Sequence, residues 1–141
     1  MAGTDHVPPR GRILVADDEP HIRRILATLF ENANFHVDTV EDGTAAFTQL
    51  MSPTPYALAV MDIMMPGATG LEVLSRVRLM EHRNDLPVLI LTAKGQDADR
   101  ESALERGASA FMTKPFSPKK LLARIDEIIE PQPMSPGHPG G

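Results

Sequence analysis

Short apolar runs alternate along the chain with longer segments whose apolar residues recur at helical spacing. The first run, Arg12–Ala16, is too short for a helix and rich in branched side chains, which indicates a buried strand. Pro20 then opens a segment whose apolar residues recur three or four positions apart, which predicts an amphipathic helix. The most apolar run, Pro87–Leu91, predicts a central strand that is buried on both faces.

The same alternation continues along the chain and predicts five strands and five helices. The other predicted strands are Phe35–Val40, Ala57–Met61 and Ala110–Thr113. The other predicted helices are Gly43–Met51 capped by Asp42, Gly70–Met80, Gln96–Arg106 ended by Gly107, and one opened by Ser117 and Pro118. Strands joined in this order by helices run parallel with right-handed crossovers, so we expect a doubly wound α/β sheet.

Two of the predicted helices differ in the width of the face that would pack on the sheet. The first has a full apolar stripe, made of Ile22, Ile25, Leu26, Leu29 and Phe30. The Gln96–Arg106 helix has a thin one, made mostly of Ala98, Ala103 and Leu104. A weakly packed helix shifts more easily between two positions, so this helix is a candidate for a moving part.

The ends of the chain differ in composition from its centre. Residues 1–11 are a polar leader with Pro8 and Pro9, and residues 131–141 are rich in proline and glycine. Neither end contains enough apolar residues to pack, so we expect one folded domain over residues 12–130, with a flexible leader and a flexible tail or truncated linker.

Composition and charge exclude several classes of protein. A net charge of −5 argues against a nucleic-acid surface. The absence of cysteine excludes disulfides and thiolate metal sites. No apolar run approaches the roughly 20 residues that span a bilayer, and the N-terminus has no hydrophobic signal core. We therefore expect a cytoplasmic protein that contacts neither membrane nor nucleic acid directly.

Polar side chains stand where four of the predicted strands end. They are Asp17 and Asp18 after the first strand, Asp62 after the third, Thr92 after the fourth and Lys114 after the fifth. Ligands of such sheets bind beyond the carboxyl ends of the strands, so these five side chains should meet at one edge. A single aspartate in this position usually caps a turn or helix, and it is the coincidence of all five that favours a functional site.

The chemistry of that cluster points to phosphoryl transfer. Three neighbouring carboxylates repel one another unless a cation joins them, and Mg²⁺ is the natural partner of oxygen ligands. Lys114 and Thr92 could bind phosphate oxygens, which leaves Asp62 as a carboxylate nucleophile.

Four short motifs also resemble a known family. They are Val15–Pro20 (VADDEP), Met61–Pro66 (MDIMMP), Leu91–Ala93 (LTA) and Lys114–Phe116 (KPF). In this order and at these separations they are similar to the receiver domain of two-component response regulators. The resemblance covers roughly residues 12–130 and implies a flavodoxin-like (βα)5 fold with strand order 2-1-3-4-5.

The resemblance implies a role for each site residue. Asp62 would accept the phosphoryl group, and Thr92 and Lys114 would hold its oxygens. Asp18, Asp62 and the backbone carbonyl of Met64 would ligate Mg²⁺ or Mn²⁺, with Asp17 acting through a water molecule. The bond before Pro115 would be cis.

Two further positions follow from the same resemblance. Phe111 stands where receivers carry an aromatic switch residue that turns inward when Thr92 moves, although a plain core phenylalanine explains it equally well. Thr69 stands where the family commonly has Asp, Asn or Ser before the glycine, and a threonine can still cap the following helix.

The resemblance also implies partners and an output. The donor would be a histidine kinase or a histidine phosphotransfer protein, docking on the first helix, including Ile22, Ile25 and Leu26. The fourth helix, fifth strand and fifth helix would form the output face, the surface that changes on phosphorylation and contacts a downstream protein or fused effector. The chain would be a stand-alone receiver or part of a larger regulator, a monomer or a phosphorylation-dependent dimer. It would not be an enzyme beyond assisting its own phosphorylation and dephosphorylation.

Three alternatives stay open at this point. An aspartate-nucleophile phosphatase would need a second acid two residues after Asp62, where Met64 stands. A flavodoxin-like carrier would need a phosphate loop where the acidic run Asp17–Glu19 would repel FMN. A degenerate receiver that only binds partners is opposed by the intact set of five residues.

Overall fold

The computed structural model describes residues 8–93 and 96–129, and these contain five strands and five helices in alternation. The strands are β1 (Arg12–Ala16), β2 (His36–Val40), β3 (Leu58–Met61), β4 (Val88–Thr92) and β5 (Ala110–Thr113). The helices are α1 (Pro20–Asn32), α2 (Gly43–Met51), α3 (Gly70–Val77), α4 (Asp97–Glu105) and α5 (Pro118–Ile129). Every predicted element is present, and the largest difference at an element's end is at the end of α3.

The five strands form one parallel sheet in the order β2-β1-β3-β4-β5. The predicted doubly wound fold and strand order are thereby confirmed. The strand order reverses at β1, which pairs with β2 on one side and with β3 on the other. Its last residue, Ala16, lies opposite both Val40 and Met61. This is the place where an open α/β sheet leaves a crevice for ligands.

Alternate residues of each central strand face two separate hydrophobic clusters. In β1, Leu14 and Ala16 point into a cluster with α2 and α3, while Ile13 and Val15 point into one with α1 and α5. All five residues of β4 are buried, as its unbroken apolar run predicts. Two filled layers hold the sheet rigid, and the strand ends are fixed relative to one another as a result.

The apolar stripe of α1 is narrower than predicted. Leu26 and Phe30 are fully buried, whereas Ile25 is 46% exposed. Leu26 therefore cannot contribute to a docking surface as the sequence suggested, because its side chain lies between α1 and the sheet. Ile25 stands at the edge of the stripe, where a partner can reach it.

The structure also corrects the predictions for α3 and α4. α3 ends at Val77, three residues early, and tighter turn bonds such as Met80 N–H to the Val77 carbonyl (3.0 Å) follow it. In α4, Ala103 is buried but Ala98 is exposed and Leu104 is 47% exposed, so the apolar face is thinner than predicted.

Arginine side chains hold the C-terminal end of α4 where apolar packing is thin. Arg106 donates to the Ser75 hydroxyl (2.8 Å) and the Leu71 carbonyl (3.3 Å) of α3. Arg78 donates to the Gly107 carbonyl (2.6 Å) and, with its other nitrogen, to the Leu86 carbonyl (2.7 Å). Gly107 has φ +100°, a conformation that suits glycine and ends the helix as predicted.

The predicted tail (131–141), residue 130 and residues 1–7 of the predicted leader lie outside the described residues. The last leader residues lie against the domain: the Arg10 N–H donates to the Asn34 carbonyl (2.8 Å), and the Arg10 guanidinium contacts the Asp126 carboxylate (2.6 Å). Across the described part of the chain, no helix has the length and apolar character to cross a membrane.

Candidate phosphoacceptor site

The ends of four strands bring the predicted site residues to one edge of the sheet. Asp17 and Asp62 follow the paired residues Ala16 and Met61, and the Asp62 N–H donates to the Ala16 carbonyl (3.0 Å). Lys114 follows β5 and is tied to β4 by its N–H, which donates to the Thr92 carbonyl (2.9 Å). The backbone pairing of the sheet, and not the side chains themselves, thus sets where these groups meet.

Lys114 lies among three carboxylates. Its Nζ is 2.7 Å from Asp17 Oδ2, 2.7 Å from Glu19 Oε1 and 2.8 Å from Asp62 Oδ2. The lysine side chain is only 8% exposed. The predicted meeting of Asp17, Asp62 and Lys114 is thus observed. Glu19 joins them, although nothing in the sequence distinguishes it from the rest of the acidic run.

Asp62 is buried and both of its carboxylate oxygens are engaged. Oδ1 accepts the Met64 N–H at 3.1 Å, and Oδ2 accepts from Lys114. The N–H of Gly70 donates to the Ile63 carbonyl (3.0 Å), which links the start of α3 to the residue after Asp62. The carboxylate is therefore held in one orientation by groups on both sides.

The loop between β1 and α1 is fixed by its own hydrogen bonds. Asp17 Oδ1 accepts the Glu19 N–H (2.9 Å), and Arg23 Nη1 donates to the Asp17 carbonyl (2.6 Å). The Arg23 side chain is 18% exposed and also approaches Glu41 at 3.8 Å. Arg23 lies on the first turn of α1, and from there its side chain holds the acidic loop in place.

Burial and ion pairing oppose one another in the protonation of the site. Burial raises the pKa of Asp17 above its ordinary value, although hydrogen bonds from Lys114 and Glu19 act to lower it. Burial acts to lower the pKa of Lys114, but its hydrogen bonds to Asp17, Asp62 and Glu19 outweigh burial and raise the pKa overall. The raised pKa favours the charged ammonium form of Lys114.

The acidic side chains are close enough to share one cation. Asp17, Asp18, Glu19 and Asp62 each offer a carboxylate oxygen within 4.8 Å of the others. An all-oxygen donor set suits Mg²⁺ or Mn²⁺, which favour hard ligands and keep several waters. Asp18 is exposed and can turn towards such an ion, whereas Asp17 and Asp62 are buried and already in place.

Thr92, Phe111 and Pro115 lie where the site continues towards β5. Thr92 is completely buried at the end of β4. Phe111 is 6% exposed, with the Arg100 guanidinium 5.1 Å from its ring centre, so α4 and β5 are in contact through this pair. The Lys114–Pro115 bond is cis.

The loop after Asp62 ends in a complete capping box. Thr69 Oγ1 accepts the Glu72 N–H (3.1 Å), and Glu72 Oε1 accepts the Thr69 N–H (2.8 Å). Threonine thus caps α3 in place of the residues that the family commonly has there. Met64, in the same loop, is 56% exposed and places no second acid beside Asp62.

Comparison with known proteins gives a consistent result. Residues 13–126 match the family model described as the response regulator receiver domain. The phosphate regulon transcriptional regulatory protein PhoB of Escherichia coli is 40% identical over 118 residues, which are 84% of this chain and 51% of PhoB. The chain therefore spans about half the length of the curated relatives it matches.

Receiver domains are among the solved structures that share this fold, and two of them illustrate the similarity. One is that of the Francisella response regulator 1452, with 30% identity and a TM-score of 0.77 over 85% of this chain and 97% of that one. Another is that of a sensor histidine kinase from Pseudomonas aeruginosa, with 25% identity and a TM-score of 0.78 over 84% and 97%. The latter was solved with a magnesium ion coordinated in its active-site cleft.

Proposed function

The chain belongs to the response regulator receiver domain family, and from that premise we propose that Asp62 accepts a phosphoryl group from a histidine kinase or a histidine phosphotransfer protein. The observation that supports Asp62 most directly is its geometry. It is a buried carboxylate with Lys114 Nζ 2.8 Å from Oδ2 and the Met64 N–H on Oδ1. Three further carboxylates surround it.

The transfer needs positioning and neutralisation of charge more than acid–base chemistry. An Asp62 carboxylate oxygen attacks phosphorus and forms a P–O bond, while the P–N bond to the donor histidine breaks and its electron pair returns to the imidazole. Asp62 becomes an acyl phosphate. Lys114 is charged throughout, so it binds a phosphoryl oxygen without giving up a proton, and the Thr92 hydroxyl donates to another.

The acidic side chains fit a divalent cation of the kind seen in the Pseudomonas receiver. Asp18, Asp62 and the Met64 carbonyl would bind Mg²⁺ or Mn²⁺, with Asp17 acting through water. When bound, the ion would offset the negative charge that the acidic groups present to a phosphate. The chain's own role would then be limited to assisting the phosphorylation and dephosphorylation of Asp62.

We infer that the output face is α4–β5–α5. Ala103 is the buried residue of α4, and the Arg100–Phe111 contact joins this helix to β5. A movement of Thr92 towards the phosphoryl group would let Phe111 and α4 move together, since a thinly packed helix has a low barrier to displacement. A downstream protein or a fused effector would read that surface, in the cytoplasm, with the receiver as a monomer or a phosphorylation-dependent dimer.

Two measurements test this function. Incubation with Mg²⁺ and acetyl phosphate should add one phosphoryl group by intact mass, and Asp62→Asn should abolish the gain. The matched control is Asp85→Asn, which removes an exposed aspartate away from the site and should leave the gain intact.

The second measurement uses beryllofluoride, a phosphoryl analogue, with Mg²⁺. The NMR shifts of α4 and β5 should change on its addition, and the change should be absent without Mg²⁺. No adduct and no beryllofluoride response in the wild-type chain would instead identify a degenerate receiver that only binds partners.

A further inference from the structure

Three carboxylates surround the Lys114 ammonium in the unphosphorylated site. A lysine ammonium has three N–H groups. The Lys114 Nζ lies 2.7 Å from Asp17, 2.7 Å from Glu19 and 2.8 Å from Asp62, and it donates hydrogen bonds to Glu19 and Asp62. The phosphoryl oxygens on Asp62 therefore compete with the neighbouring carboxylates for this ammonium.

The three carboxylates differ in how easily they can leave. Phosphorylation turns the Asp62 carboxylate into an acyl phosphate, so its contact with Lys114 passes to the new phosphoryl group. The side chain of Asp17 is 2% exposed, so releasing it would leave a buried charge without its partner. Glu19 is 45% exposed, and water can solvate its carboxylate as soon as it turns away. Glu19 is thus the partner that Lys114 loses at least cost.

The backbone of Glu19 is fixed by two hydrogen bonds, and its side chain contacts Lys114. Its N–H donates to Asp17 Oδ1 (2.9 Å), and its carbonyl accepts the Arg23 N–H (3.0 Å). Glu19 occupies the N-cap position of α1, but its side chain makes no capping bond. The carboxylate reaches across to Lys114 instead, although the two residues are 95 positions apart in the chain.

We propose that Glu19 is a positioning residue that holds the Lys114 ammonium in the unphosphorylated protein and is exchanged for a phosphoryl oxygen when Asp62 is phosphorylated. This rests on the proposed function of Asp62 and Lys114. The exchange breaks one ion pair and forms another, and no proton moves. Glu19 thereby sets how strongly the resting site competes with the phosphoryl group for its lysine.

The test measures the affinity for beryllofluoride at saturating Mg²⁺ in two variants of Glu19. Glu19→Gln removes the charge. Glu19→Asp keeps the charge but withdraws it from Lys114 by about 1.5 Å, one carbon–carbon bond. Both should bind beryllofluoride about threefold to fivefold more tightly, the scale expected for the loss of an ion pair with one half-exposed partner.

The matched control is Glu41→Gln. It removes a charge near the acidic loop, 3.8 Å from Arg23, from a side chain that is 73% exposed. Its affinity for beryllofluoride should stay at the wild-type value. Urea unfolding of each variant confirms that the proteins compared are folded.

A second measurement follows Lys114 itself by NMR of its side-chain CεH₂ group. In the wild-type protein, beryllofluoride should move this resonance as Glu19 is replaced. In Glu19→Gln without beryllofluoride or Mg²⁺, the resonance should already have moved, because one of its three partners is weakened.

The other outcomes each overturn the inference in a distinct way. If Glu19→Gln binds beryllofluoride more tightly but Glu19→Asp binds it as the wild type does, the negative charge of Glu19 weakens binding at a distance and its contact with Lys114 has no part. Weaker binding in both would mean that Glu19 orients Lys114 for the phosphoryl group, and unchanged binding that it has no part. A wild-type protein that fails to respond would overturn the proposed function, and the inference with it.

Discussion

Replacing Gly70 by alanine tests whether close backbone packing behind Asp62 sets the geometry of the site. Gly70 is the buried first residue of α3. A Cβ there would lie 2.2 Å from the Asp62 carbonyl oxygen and 2.9 Å from its carbonyl carbon, where ordinary contact begins at 3.4 Å. Because the obstructing atoms are backbone, α3 and the end of β3 must separate by about 1 Å.

We expect two effects of Gly70→Ala. Overpacking of this kind costs roughly 1–3 kcal/mol, and the better helix propensity of alanine offsets less than about 1 kcal/mol of it. Displacement of Asp62 by about 1 Å should also slow phosphorylation by acetyl phosphate by about 10- to 100-fold. Urea unfolding measures the first effect, and the initial rate of mass gain measures the second.

Gly43→Ala is the control for destabilisation alone. Gly43 also begins a helix, and a Cβ there would lie 1.9 Å from the carbonyl oxygen of Ala68, a loop residue before α3, with no atom of Asp62 among its nearest neighbours. It should destabilise the domain at least as much as Gly70→Ala but slow phosphorylation less. Wild-type stability and rate in Gly70→Ala would refute the packing argument, and an equal loss of rate in Gly43→Ala would show that the loss follows from destabilisation.

Three further changes probe parts of the fold around the site. Arg83→Ala should lower the free energy of unfolding in urea by about 2–4 kcal/mol, because this buried side chain donates to the carbonyls of Leu50, Ser52 and Thr54. As the control, Arg76→Ala removes an exposed arginine and should lower it by less than about 1 kcal/mol. Thr69→Ala should lower the free energy of unfolding by about 1 kcal/mol through loss of the capping box, and Thr69→Asp should restore it. Equal urea midpoints for the two variants would show that the capping box does not stabilise the domain. Burial and a hydrogen bond to Asp38 raise the pKa of Tyr56, so its stabilising effect should be present below pH about 10, the unfolded value, and decline as the pH rises above it. Tyr56→Phe should flatten that alkaline decline in the unfolding free energy, and an unchanged slope would contradict the assignment.

Periodicity predicted the fold well because most of the chain's elements bury apolar side chains in a regular way. The unbroken run of β4 and the alternating neighbours of β1 follow from a sheet covered on both faces. The same rule explains why Asp17, Asp62 and Lys114 could be placed together before their contacts were known: parallel strands bring their carboxyl ends to one edge.

Prediction failed where polar side chains replace apolar packing. Arg78 and Arg106 hold the end of α4 by bonds to backbone carbonyls and a hydroxyl, and no periodicity marks such a bond because its acceptor can belong to any residue type. Glu19 was missed for a similar reason. Its partner Lys114 is distant in sequence, and only the folded β1–α1 loop shows that the carboxylate turns towards the site.

The charge balance of the site explains why one lysine needs help to bind a phosphoryl group. Four carboxylates lie close together at the site and three of them contact the Lys114 ammonium, so the cluster as a whole remains negative before any phosphate arrives. An aspartyl phosphate adds further negative charge to the same place, which repulsion would oppose in a buried setting. On the functions proposed above, two features of the chain would relieve this repulsion. One is a donor set suited to a divalent cation, and the other is the half-exposed Glu19, whose charge would move into water as the phosphoryl group takes its place. A receiver with a neutral residue at position 19 would need only the first.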